Sequence, residues 1–192
     1  MSRIIEILLD EHRNIEKLLH VLEQELDVFD HSDPPDYEIL QAIIEYFQDY
    51  PESYHHPKED LVFEKLKLRD PTAATRVGDA QAEHQAETNR LHRFARAVAD
   101  VLAGHEYPRQ RFHNIVHDFI ESQRRHMHEE ERLLFPAAIK ALQPTDWAEI
   151  DARLSNGIDP LFGGTNEMKF HALRQSVLQW EQETQASRVK TS

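Results

Sequence analysis

The chain has 192 residues, 40% hydrophobic and 30% charged, the balance of a globular protein with one sizeable core. Its 35 acidic residues outnumber 22 basic ones, and a net charge of −13 repels phosphate backbones, so no nucleic-acid partner is expected. Cysteine is absent, which excludes disulfides, thiolate metal sites, cysteine-ligated iron–sulfur clusters and cysteine nucleophiles.

The first residues turn acidic quickly and no apolar run approaches the ~18 residues of a membrane span. A cytoplasmic protein without membrane contact is expected. Only 5 glycines and 9 prolines interrupt long segments, which favours an all-α fold, and the 13 histidines are the unusual feature of the composition.

Four segments show the three- and four-residue steps of helices packed in a bundle. The first, residues 2 to 28, carries Ile5, Leu8, His12, Ile15, Leu19, Leu22 and Leu26. The second, 36 to 68, carries Leu40, Ile44, Phe47, Pro51, His55, Glu59, Val62 and Leu66. Pro51 and Pro57 each remove a helical hydrogen bond, so a kink or bulge is expected just before or at His55. The third, 72 to 103, carries Val77, Ala80, His84, Glu87, Leu91, Phe94, Val98 and Val101, with Gly104 as its stop. The fourth, 108 to 142, carries Phe112, Val116, Phe119, Gln123, His126, Glu130, Leu133 and Ala137. Short connectors imply antiparallel neighbours in an up-down-up-down four-helix bundle. Residues 1–142 are expected to form it, with 143–192 as a C-terminal helical extension.

Each seam is interrupted by one histidine. At ~1.5 Å per residue, His12, His55, His84 and His126 fall within roughly one helical turn of a common level. His55 and Glu59, and likewise His126 and Glu130, are four apart and share a helical face. Two buried carboxylates repel and are costly unless neutralised. Four imidazoles and two carboxylates around one point suit two divalent cations, iron or manganese ahead of zinc, and the lack of sulfur disfavours copper(I). If Glu59 and Glu130 bridge, each metal has two imidazoles and two carboxylate oxygens. A bridging oxygen then leaves an open position on each for a small molecule.

The stretches His55-His56-Pro57-Lys58-Glu59 and His126-Met127-His128-Glu129-Glu130 resemble the two His-x-x-x-Glu signatures of hemerythrin-like HHE proteins. With His12 and His84 as single donors, the resemblance spans all four helices. It implies a non-haem, oxo- or hydroxo-bridged centre of two iron ions that binds a small diatomic ligand, oxygen or nitric oxide, for sensing, scavenging or storage. The implied metal ligands are His12, His55, Glu59, His84, His126 and Glu130.

Oxygen-carrying hemerythrins have a second histidine four residues after the third-helix ligand, where this chain has Thr88. They also end on an aspartate at the spacing of Glu131, which points roughly 100° away from the seam defined by Glu130. The four-His, two-Glu set is more similar to bacterial di-iron proteins linked to nitric oxide stress and repair of iron centres. A di-iron redox enzyme is thus one alternative, and a structural or interaction bundle holding zinc or no metal is another.

Other polar residues are given plainer expectations. His56 and His128 lie off the seam, at the surface or beside the ligands. Glu87 is a buried polar neighbour rather than a ligand. Glu6, Asp10 and Glu11 form a solvated face. In the C-terminal extension, Asp146 and Glu149 are spaced as a capping box for a short helix from Pro144 to Leu154, stopped by Asn156-Gly157. The stretch Asp159-Pro160-Leu161-Phe162-Gly163-Gly164 reads as a loop, similar to one in a proteobacterial subset of HHE proteins. Thr165 or Asn166 then caps a last helix to Ser187, with disorder expected after Arg188. That helix extends the core, or alternatively pairs two copies as a homodimer.

Overall fold

The computed structural model describes residues 2–31, 33–154, 159–163 and 168–190. It is an all-α bundle with no strand among the described residues. Helix α1 (Arg3–Asp30) buries its whole seam, from Ile5 through His12 to Leu26. Helix α2 (Tyr37–Tyr50) starts on Asp36, whose side chain accepts from the amides of Glu38 and Ile39 at 2.9 and 3.2 Å.

The bulge expected near His55 is a π-helical turn, Pro51–His55, which continues into α3 (His56–Arg69). The amide of His56 reaches back to the carbonyl of Pro51, five residues earlier, and Pro57 has no amide to restore the regular ladder.

The third segment is not continuous. Asp70 caps a short α4 (Pro71–Val77), the chain breaks at Gly78 with φ +107°, and Asp79 caps α5 (Ala80–Leu102). The break has two local causes: a glycine in a conformation other residues rarely adopt, and an aspartate that starts a helix anew. Gly104, at φ +75°, follows α5 as the expected stop.

The fourth segment also departs from an unbroken helix. Helix α6 (Arg109–Glu129) passes through a second π-helical turn, Glu130–Leu134, into α7 (Phe135–Ala141). That turn inserts one residue into the helical count. The buried positions beyond it are Leu134, Phe135 and Ala138, whereas the expected Leu133 and Ala137 are only partly buried. Pro136, which donates no amide, lies just past the turn.

Helix α1 packs on α6, α6 on α5, α5 on α2, and α2 back on α1, which closes the bundle. Helix α8 (Pro144–Arg153) begins two residues before Asp146. Asp146 therefore sits inside the first turn, accepts from the Gln143 amide at 2.9 Å and holds Arg69, rather than capping with Glu149. Glu149 instead pairs with Lys65. Asn156-Gly157, Gly164, Thr165 and Asn166 lie outside the described residues. A 3₁₀ turn (Met168–Phe170) leads into α9 (His171–Lys190), which runs past Arg188 and packs on α1 and α2.

Apolar residues form two clusters. One is built from α1, α2, α5 and α6 together with Leu161, Phe170, Leu173 and Val177. The other joins the start of α1 to α3, α4, α7 and α8. His12 lies between Leu8 of one cluster and Ile15 of the other, so a polar layer separates the two. Among the described residues, no helix is long and apolar enough to cross a membrane.

Candidate metal centre

The polar layer contains His12, His55, Glu59, His84, His126 and Glu130, all buried. The first π turn ends on His55 and the second begins on Glu130, so both helical irregularities present site residues. Nε2 of His55 lies 2.9 Å from Oε1 of Glu59, and Nε2 of His12 is 3.4 Å from the same oxygen. Oε2 of Glu59 lies 3.3 Å from Nε2 of His84. Glu130 reaches Nε2 of His12 at 3.4 Å and Nε2 of His126 at 3.6 Å. Each carboxylate is therefore shared between histidines of different helices.

Two donor groups result: His12, His55 and Glu59 in one, and His56, Glu59, His84 and His126 in the other, with ligand atoms in each within 4.8 Å of one another. His56 is partly buried and takes the second of its two expected places, beside the candidate ligands. Its ring stacks on His84, with centroids 4.1 Å apart and planes at 12°. His128 is exposed, as expected.

The outer ring nitrogens are held by further carboxylates. Nδ1 of His55 lies 2.8 Å from Oε2 of Glu11, Nδ1 of His12 lies 2.9 Å from Oε1 of Glu131, and Nδ1 of His84 is 3.7 Å from Oδ1 of Asp60. A carboxylate only accepts, so in the two hydrogen-bonded rings it places a proton on Nδ1 and aims Nε2 inward. Glu131, half-exposed, serves from outside the cage, while Glu130 occupies the inner position.

Glu11 is buried, contrary to its reading as a solvated residue. Its carboxylate accepts from Tyr50 Oη at 2.8 Å and from Lys58 Nζ at 2.5 Å as well as from His55. All three partners lie on the segment facing α1, so nothing local to Glu11 in the sequence signals the contact. Glu87 meets Ser122 Oγ at 2.9 Å, Gln123 Nε2 at 2.7 Å and Arg90 Nη1 at 3.1 Å. It is a buried carboxylate satisfied by neutral donors and an arginine, outside both donor groups.

The carboxylates of the cage set the protonation of its histidines. Burial opposes an imidazolium at His12, but the Glu130, Glu131 and Glu59 carboxylates outweigh it and push its pKa up to about 11. Burial likewise opposes His55, yet Glu59 and Glu11 raise it to about 9. Burial pushes His126 down to about 4. Burial and the adjacent Glu59 charge raise Glu130, whereas the His55, His12 and His84 rings, against burial, hold Glu59 well below the usual carboxylate range.

Several inner atoms make no well-formed hydrogen bond: Glu59 Oε2, Glu130 Oε2, His84 Nε2 and His126 Nε2 have only ion-pair contacts of 3.3 to 3.6 Å, and His56 Nδ1 has none. Buried polar atoms are normally paired. Five unpaired nitrogen and oxygen atoms at one level of the bundle fit a group that accepts lone pairs, which is what a metal cation does.

A family model for the hemerythrin HHE cation-binding domain matches residues 3–138. No curated protein and no solved structure matches the chain significantly. The match runs from the start of α1 into α7 and takes in both donor groups, and the chain belongs to the hemerythrin HHE cation-binding family.

Proposed function

We propose that the chain is a non-haem di-iron protein that binds a small diatomic ligand, oxygen or nitric oxide, in sensing, scavenging or storage. The observation that carries this reading is the convergence of unpaired buried donors into two groups sharing Glu59. His12, His55, Glu59, His84, His126 and Glu130 would hold the two metals, with Glu59 and Glu130 spanning them. A set of nitrogen and oxygen donors without sulfur favours iron, then manganese. When bound, the irons supply redox-active positions to which a diatomic molecule can add.

The chain itself supplies orientation and dryness. Glu11 and Glu131 fix the tautomers of His55 and His12, and Phe135 stacks on His12 with centroids 5.6 Å apart. The apolar clusters on either side keep bulk water out. A cavity of about 30 Å³ reaches His126 and Glu130, bordered by Val77, Ala80, Glu83, Glu129 and Leu134. That is room for a water or a diatomic molecule beside the two site residues. Val77 and Ala80 flank the break at Gly78, so the helix interruption lies at the cavity wall.

The test is titration of the anaerobically reduced, iron-loaded protein with nitric oxide and with oxygen, followed by optical absorption. Stoichiometric spectral change, complete after one equivalent per iron pair, is expected. Sustained consumption over many equivalents would make the protein a redox enzyme, and no response to either gas would refute the reading.

A further inference from the structure

We propose that the cleft beside His126 and Glu130 is the port through which a divalent cation enters the centre, with the exposed carboxylates of Glu83 and Glu129 as its first contacts. The inference rests on the di-metal reading above and concerns how the site is filled.

Glu83 and His84 are consecutive on α5, as are Glu129 and Glu130 where α6 meets the second π turn. Consecutive helical residues point roughly 100° apart, so each buried ligand has a carboxylate beside it at the edge of the seam. These two carboxylates come from two packed helices and border the same cavity of about 30 Å³ as His126 and Glu130. Both are exposed, and among the described residues neither forms an ion pair. His126 and Glu130 are only 7% and 6% exposed, and His126 Nε2 and Glu130 Oε2 make no hydrogen bond. The cleft thus leads from two surface carboxylates to two buried donors. The rest of its lining is apolar, and no lysine or arginine borders it. Such a lining repels an anion and gives a neutral gas nothing, whereas it concentrates a cation.

The outer faces of the other three imidazoles are taken. His12 has Glu131 on its outer nitrogen and Phe135 against its ring, His55 has Glu11, and His84 has the stacked ring of His56. A space of about 30 Å³ holds about one water, so a hydrated cation does not pass whole. It sheds water at the mouth, where carboxylate oxygens replace the lost ligands. Part of the wall, Val77 and Ala80, is made from the end of α4 and the start of α5 rather than from one continuous helix. Between them Gly78 has φ +107° with open space beside it, so the wall can part at a glycine.

Metal-free wild type, Glu83→Gln/Glu129→Gln and Ala80→Leu are mixed with cobalt(II) in a stopped-flow cell and uptake is followed by absorption. The control is Asp33→Asn/Glu106→Gln, the same charge change on exposed residues in the connectors after α1 and α5. Circular dichroism checks the fold of each variant, and elemental analysis gives the end point. Glu83→Gln/Glu129→Gln should load roughly tenfold more slowly at low ionic strength, the lower end of electrostatic steering, with the gap closing as salt is added. It should still reach the wild-type metal content. Ala80→Leu, which narrows the mouth, should load slowly at every salt concentration, and the control should follow wild type. A double variant or an Ala80→Leu protein that loads as fast as wild type, or a control slowed as much, would overturn the port and leave the di-metal reading standing. A lower final metal content in the folded double variant would make Glu83 or Glu129 a ligand and overturn it too. A wild-type protein that takes up neither cobalt nor iron would refute the di-metal reading and this inference with it.

Discussion

Nδ1 of His55 and Oε2 of Glu11 are 2.8 Å apart although the residues are 44 positions apart in the chain. The same carboxylate takes the buried Lys58 ammonium and the Tyr50 hydroxyl, so one side chain orients a candidate ligand and neutralises a buried cation. Burial works against its ionisation, but His55 and Lys58 hold its pKa below the usual carboxylate range.

Glu11→Gln keeps the size of the side chain and removes the charge. Metal affinity should fall by roughly 10–100-fold, the range seen when the partner of a ligating histidine is lost. Chelator competition measures it. Unchanged affinity would show that the packing of α1 against α3 alone orients His55.

Proton release should accompany metal loading. His12 and His55, with pKa values pushed to about 11 and about 9, are protonated at pH 7 in the metal-free protein. A metal displaces the inner proton from each ring, so affinity should rise with pH, by about tenfold per unit for each proton released. Calorimetry in buffers of different ionisation enthalpy counts the protons. Loading that releases none between pH 6 and 8 would contradict the protonation described here.

Removing metal should destabilise the bundle, because only the folded chain assembles both donor groups. Binding at about 100 times the dissociation constant contributes about 2.7 kcal/mol, equivalent to a Tm shift of about 5–10 °C for a domain of this size. Thermal unfolding with and without chelator gives the shift. Identical Tm values would mean the layer is not metal-stabilised.

The C-terminal segment should matter for stability and not for metal binding. Phe170, Leu173 and Val177 are buried in the same cluster as α1 and α2. Asp159 accepts from Tyr46 Oη at 2.9 Å and from the amides of Leu161 and Phe162 at 2.8 Å each, which ties the loop to α2. Phe170→Ala should cost about 3–5 kcal/mol in denaturant unfolding while leaving metal stoichiometry intact. Loss of metal in the folded variant would show that the segment also shapes the site.

The sequence made the bundle legible because its seams step regularly, and His12, His55, His84 and His126 interrupt them at one height. Glu59 and Glu130 followed from spacing along single helices. What escaped depended on contacts between helices or on local changes of pitch. The second π turn shifted burial from Leu133 to Leu134, and the regular period gives no warning of an inserted residue. Glu11 resembled its acidic neighbours until Tyr50, His55 and Lys58 were brought against it. His56 lies off a four-residue seam, which admits one of two adjacent histidines, and only the packing of α3 against α5 brings its ring onto His84.

On the proposed reading, two cations neutralise the cage formed by Glu59, Glu130 and their histidines. Elemental analysis of the aerobically purified protein, read together with its optical spectrum, tests this most directly. Two irons per chain with oxo-bridge absorption are expected, both lost in His55→Ala/Glu59→Gln. A metal-free protein, or one whose metal content is unchanged by that double substitution, would contradict it.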